Sequence, residues 1–153
     1  MKVCYFVHGL MHDNGGGVFS ARLCEGMQKR GFEVVALITV PSNKNYEQPL
    51  LSGGMFSVFL RMWKIRKVCK EADIINALDA YPYGILAKVA SFGLGKPLVI
   101  TTVGTGSIAG LYMFPQKVFM KWAYRGATAI TSISTFTKTE VLKMVKGITI
   151  GVI

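Results

Sequence analysis

Three consecutive glycines, Gly15-Gly16-Gly17, stand between an apolar run at Val3–Val7 and a helix-like segment from Val18 to Arg30. Glycine has no Cβ, so its backbone N–H groups can approach a ligand closely, and a helix N-terminus behind them favours negative charge. That combination suits a phosphate. Three further clusters carry chemistry: Asp79-Ala80-Tyr81-Pro82-Tyr83-Gly84, Val103-Gly104-Thr105-Gly106-Ser107 and Ser134-Thr135-Phe136-Thr137. Two glycine loops, one carboxylate and several hydroxyls suit a polyhydroxylated or phosphorylated ligand. Each cluster also has a plainer reading. The glycines can form a tight turn, Asp79 can cap a helix starting near Tyr83, and His8 and His12 can be ordinary loop histidines rather than general bases.

Several standard chemistries are disfavoured. Gly15-x-Gly17-x-x-Ser20 lacks the third glycine of the dinucleotide fingerprint, and no acidic residue ends the second apolar run near Val40. There is no Walker loop, no G-x-S-x-G elbow and no H-E-x-x-H. With no Asp-x-Asp pair and no His/Asp/Glu cluster, neither a metal nor a cofactor is expected, and no catalytic residue is assigned.

The elements that must position these clusters follow from the apolar pattern. Strands are predicted at Val3–Val7, Val34–Val40, Ile74–Ala77, Leu98–Thr102, Ala129–Ile133 and Ile148–Ile153. Most lack polar alternation, as expected for strands covered on both faces. Helices are predicted at Val18–Arg30, Phe56–Lys70, Gly84–Phe92, Gln116–Arg125 and Thr135–Lys146, the last capped by Ser134 or Thr135. Residues 41–54 read as a loop. Alternating strands and helices predict an α/β fold: a Rossmann-like open parallel sheet with helices on both faces, in which ligands bind at the carboxyl ends of the strands.

The chain has 153 residues, the size of one domain, with 51% hydrophobic residues and a mean hydropathy of +0.39. Its formal net charge is +10, and no acidic residue occurs from Ala80 to Thr139. A basic surface favours phosphorylated ligands, anionic lipid or nucleic acid. The absence of an RNA-binding motif places nucleic acid last. Three widely spaced cysteines, Cys4, Cys24 and Cys69, fit reduced thiols in a cytoplasmic protein. The N-terminus does not read as a signal peptide. Leu98–Gln116 is uncharged but carries three glycines and a proline, unlike the ~20 predominantly apolar residues of a membrane span.

Met55–Lys70 holds two helical stripes. Val58, Met62, Ile65 and Cys69 form one; Phe56, Phe59, Leu60 and Trp63 form another, among Arg61, Lys64, Arg66, Lys67 and Lys70. One stripe suffices for core packing, and the other suits an anionic membrane surface or an interdomain contact. Lys117, Lys121 and Arg125 also align, with Trp122 nearby.

Three segments carry a family resemblance. Residues 15–39, GGGVFSARLCEGMQKRGFEVVALIT, resemble a GG…L…L..RGHEV…T pattern. Residues 73–102, DIINALDAYPYGILAKVASFGLGKPLVITT, resemble DVIHAHD…G..A…A…GKP.V.T, and residues 124–142, YRGATAITSISTFTKTEVL, resemble RADAITAVS….E.L. In this order and spacing the chain resembles, nearly end to end, the N-terminal, acceptor-binding domain of a GT-B glycosyltransferase of the retaining family-four group. The resemblance implies sugar transfer from a nucleotide-sugar donor, bound mainly by a C-terminal domain, to a lipid-linked or saccharide acceptor, without a metal. It places Gly15, Gly16 and Gly17 near the donor phosphates and Asp79, Tyr81, Gly104, Thr105, Gly106, Ser134, Phe136 and Thr137 around the acceptor side of the cleft.

The chain departs from that pattern in two ways. Val103 occupies the position of a frequent cleft histidine, and Asn76 and Leu78 replace histidines of the HAHD-like segment. Residues 147–153, GITIGVI, resemble the strand before the interdomain linker, so the donor domain is expected to be absent from this sequence and the isolated domain to be inactive, with self-association through the uncovered face. A location peripheral to the inner face of the membrane fits Phe59, Arg61, Trp63, Lys64, Arg66, Lys67, Lys117 and Lys121 as surface candidates. The alternative is a non-enzymatic Rossmann-like module binding nucleotides or nucleotide sugars.

Overall fold

The computed structural model describes residues 1–11 and 15–153. Its elements run β1 (Lys2–Gly9), α1 (Gly15–Lys29), β2 (Glu33–Val40), β3 (Glu47–Gln48), α2 (Gly54–Leu60), α3 (Met62–Glu71), β4 (Ile74–Leu78), α4 (Ile85–Ser91), β5 (Leu98–Thr102), α5 (Gln116–Arg125), β6 (Ala129–Ser132), α6 (Thr135–Met144) and β7 (Gly151–Val152). Short helical turns cover Ala80–Gly84, Thr105–Ser107 and Ala109–Tyr112. The strands form one seven-stranded sheet of order β3-β2-β1-β4-β5-β6-β7, every pairing parallel.

Period-two alternation within each strand sends side chains to opposite faces. Cys4, Phe6, Val35, Leu37, Ile75 and Ala77 pack on Val58 of α2, Ile65 and Cys69 of α3, and Ala87 and Ala90 of α4. Their neighbours Tyr5, Val7, Ala36 and Ile38 pack on Ala21 and Cys24 of α1. Ile100 and Ile130 meet Met120 and Tyr124 of α5 and Val141 of α6. Covering both faces of the central strands explains why they read as continuous apolar runs. The three cysteines are buried free thiols, and burial pushes Cys24 up to about 12.

The structure refines four expectations. The glycine triplet is the first turn of α1 rather than a loop before it. The helix expected over 56–70 is interrupted at Arg61, whose guanidinium Nη1 donates to the carbonyls of Pro49 (3.0 Å) and Leu50 (3.4 Å) and to Ser52 Oγ (3.2 Å). The 41–54 loop contributes a two-residue strand, β3, beside β2. The last strand is shorter than expected: β7 pairs through two positions only, Thr131 with Gly151 and Ser132 with Val152. Leu98–Gln116 folds as β5 and short turns, and no helix among the described residues is long and apolar enough to cross a membrane.

Candidate functional site

From β1 the chain adds β2 and β3 on one side of the sheet, then returns to place β4 on the other. At such a switch point the connections leave a crevice above the carboxyl ends of the strands. A cleft of about 320 Å³ opens there. Its floor is built from strand ends: His8 and Gly9 of β1, Val40 of β2 and Leu78 of β4. Gly16, Gly17 and Ser20 of α1 form one wall, and Asp79, Tyr83 and Val103 form the other.

The fifteen-residue helix α1 carries no acidic side chain in its first turn. Its N-terminal residues Gly16 and Gly17 border the cleft, and the N-terminal end of a helix carries partial positive charge. Ser20 Oγ donates to the Gly16 carbonyl at 2.8 Å, bonding back into the helix. A Cβ added at Gly15 would meet nothing within 4 Å among the described residues, so their packing does not demand glycine there.

Asp79 has a different task. It follows β4 with φ +76° and ψ 149°, a conformation costly for any residue but glycine. Its Oδ1 accepts hydrogen bonds from the Val103 N–H (2.9 Å), the Gly104 N–H (3.0 Å) and Ser107 Oγ (2.5 Å). The side chain does not cap the following turn; the Asp79 carbonyl does, accepting from the Gly84 N–H at 3.0 Å. The carboxylate thus ties the turn after β4 to the loop after β5. Gly106 fits beneath it, since a Cβ there would lie 2.9 Å from the Tyr81 carbonyl oxygen and 3.0 Å from Asp79 Oδ2.

Tyr83, which the sequence reading did not select as a site residue, lines the cleft, and Thr39 near the end of β2 meets its hydroxyl. The Tyr83 hydroxyl lies 2.9 Å from His8 Nδ1 and 3.2 Å from Thr39 Oγ1. Tyr83 sat inside a flagged cluster and Thr39 ends an apolar strand, but their meeting across 44 positions of sequence is a tertiary fact. His12 lies outside the described residues. Among the described residues no group of three His, Cys, Asp or Glu side chains is placed to hold a metal.

The structure brings Gly16, Gly17 and Asp79 together and leaves other candidates elsewhere. Ser134 caps α6, its Oγ accepting from the Thr137 N–H at 3.1 Å and lying 2.9 Å from Thr137 Oγ1. With the 70% exposed Phe136, these residues follow β6, which is separated from β4 by β5. Thr105 lies in the turn beside Gly106, and Tyr81 is exposed above it. Asn76 is engaged within the sheet, accepting from Thr101 Oγ1 at 3.1 Å.

Two outer surfaces combine aromatic and basic groups. On α2 and α3, Phe56, Phe59 (72% exposed), Leu60 and Trp63 (65%) face outward, with the Lys64 ammonium 5.5 Å from the Trp63 ring centre and Lys67 alongside. Arg61 and Arg66 are engaged internally; Arg66 Nη1 donates to the carbonyls of Ala90 (3.0 Å) and Phe92 (2.7 Å). Between α4 and α5 runs a groove of about 640 Å³ walled by Phe92, Val118 and Trp122 and ringed by Lys88, Lys117, Lys121 and Arg125.

This fold recurs in known proteins. The chain aligns with the putative UDP-N-acetylglucosamine 2-epimerase of Listeria monocytogenes at 19% identity and a TM-score of 0.67, covering 95% of this chain and 42% of that one. An alpha-glucosyltransferase in complex with UDP and DNA matches at 17% identity and 0.66, with coverages of 99% and 41%. Acinetobacter baumannii MurG matches at 15% and 0.62, with 99% and 45%. The chain therefore spans under half the length of these structures, which share the GT-B half-fold. No curated protein sequence matches it. The model of Glycosyltransferase Family 4 matches residues 13–153, nearly the whole sequence, and the chain belongs to that family as a GT-B N-terminal domain.

Proposed function

We propose that this domain is the acceptor-side half of a glycosyltransferase that moves a sugar from a nucleotide sugar to a lipid-linked acceptor at an anionic membrane surface. The donor diphosphate sits at the N-terminus of α1, against Gly16 and Gly17, where the helix dipole favours negative charge. The observation that carries the reading is the cleft at the switch point, with the positive end of α1 on one wall and a fixed, hydrogen-bonded loop on the other. A lipid-linked acceptor is favoured over a soluble saccharide by the outward aromatic residues of α2 and α3 beside Lys64 and Lys67, an arrangement that buries rings in the headgroup region while cations meet anionic lipid.

Sedimentation with vesicles tests the surface. The chain is expected to pellet with phosphatidylglycerol vesicles and not with phosphatidylcholine, and Trp63→Asp is expected to stay in the supernatant. Binding to neither lipid would shift the reading to a soluble saccharide acceptor. The domain alone is expected to transfer no sugar from UDP-sugars, because half of the cleft belongs to a donor-binding domain; transfer by these 153 residues would overturn that division of labour. Tight binding of UDP to the domain alone would favour a nucleotide-binding module instead.

A further inference from the structure

The groove between α4 and α5 holds a lysine in a seat made for it. The Gly126 carbonyl, at the C-terminal end of α5, accepts from Lys88 Nζ of α4 at 2.7 Å. Gly126 has φ −95°, which any residue adopts, so its backbone does not demand glycine. The lysine does, because a Cβ at Gly126 would fall on Lys88 Cε and Nζ. The ammonium is thereby kept in the groove, 6.0 Å from the Trp122 ring centre. It has three N–H donors and the carbonyl takes one, which leaves two for the groove. On the facing helix Lys117, Lys121 and Arg125 follow at four-residue intervals and form no ion pair among the described residues. No carboxylate lines the groove, and none occurs in the sequence from Ala80 to Thr139.

We propose that this groove binds the headgroup of an anionic phospholipid, its phosphodiester oxygens accepting from Lys88 and the α5 cations and its first acyl carbons lying against Phe92, Val118 and Trp122. The charge asks for an anion, and the walls ask for one that carries apolar matter. A free phosphate would leave those walls in water. The groove, about 640 Å³, has room for a headgroup and the start of its chains, and the exposed Phe114 and Phe119 extend the apolar surface beside it. Its position agrees. Ile75, Ala77, Leu98, Ile100 and Ile130 share one face of the sheet through the pairings of β4, β5 and β6, and α3, α4 and α5 all pack on that face. The groove therefore belongs to the same helical layer as the outward Phe59 and Trp63, so a bilayer that receives those rings also reaches Lys88. That the bilayer carries the sugar acceptor rests on the proposed function; headgroup binding does not.

Trp63→Phe leaves Trp122 as the single tryptophan, so its fluorescence reports the groove. Dihexanoylphosphatidylglycerol, titrated below its micelle concentration, is expected to move the Trp122 emission to the blue and to saturate. Dihexanoylphosphatidylcholine and glycerol 3-phosphate are expected to bind more weakly, the first for want of net charge and the second for want of chains. Lys88→Met keeps the aliphatic stem and removes the donors, so affinity should fall about tenfold, the loss of one hydrogen bond to a charged group. Gly126→Ala keeps every charge but pushes the ammonium from its seat, and should weaken binding several-fold. Lys146→Met makes the same charge change as Lys88→Met at an exposed site outside the groove and should bind as before. If Lys88→Met fails to fold, Gly126→Ala carries the test, since its methyl group displaces only the flexible end of a lysine. An unmoved Trp122, equal binding of the zwitterionic lipid or of glycerol 3-phosphate, a Lys146→Met loss as large as that of the groove variants, or a DNA duplex that binds the groove more tightly than the lipid would each overturn the proposal. Failure of the membrane-surface reading looks different: the chain would stay in the supernatant with phosphatidylglycerol vesicles while the Trp122 response to monomeric lipid stays intact.

Discussion

The two glycine clusters contain the same residue type for opposite reasons. At Gly106 the missing side chain makes room for the protein itself, with the Tyr81 carbonyl and the Asp79 carboxylate already in the space a Cβ would take. At Gly15 the missing side chain leaves space that no described residue fills. One cluster is a packing device and the other faces outward at a helix N-terminus. Sequence alone gives both as glycine-rich loops, and only the contacts separate them.

Substitutions along the two walls sharpen this contrast, and thermal unfolding measures it. Gly106→Ala drives a methyl group into backbone that cannot rotate away, so a loss of about 3 kcal/mol is expected, or roughly 6–12 °C in Tm for a domain of this size. Asp79→Ala strands three donors and keeps the unfavourable backbone conformation; a loss of about 2 kcal/mol is expected. Asp79→Gly removes the same carboxylate but relieves that conformation, so it should unfold above Asp79→Ala by about 1 kcal/mol. Ser134→Ala removes the cap of α6 and should cost about 1 kcal/mol without touching either wall. Gly15→Ala should be neutral or stabilising by about 0.5 kcal/mol, since alanine is the better helix former and meets no neighbour among the described residues. A Gly15→Ala loss as large as that of Gly106→Ala would erase the distinction.

The central strands were legible because burial on both faces leaves unbroken apolar runs, and Val3–Val7, Val34–Val40 and Leu98–Thr102 fall inside observed strands. The capping of α6 was legible too, because Ser134 accepts from the N–H three residues on, a local interaction. The inner and outer stripes of 56–70 were legible by periodicity: Val58, Ile65 and Cys69 are buried, while Phe59 and Trp63 are exposed. What escaped depends on distant partners. The interruption at Arg61 coincides with a guanidinium held by carbonyls 11 and 12 positions back, and β3 exists because β2 offers it an edge. Asp79 drew notice as a carboxylate, yet its role depends on donors 24 to 28 residues later. Tyr83 was passed over because neither of its partners is near it in sequence.

The bonds from Asp79 to Val103, Gly104 and Ser107 also bear on how a ligand is received. They join two crossover loops that would otherwise wander independently, so that side of the cleft is assembled before anything arrives. A guest seated against it has little chain disorder to suppress, and more of each contact it makes survives as affinity.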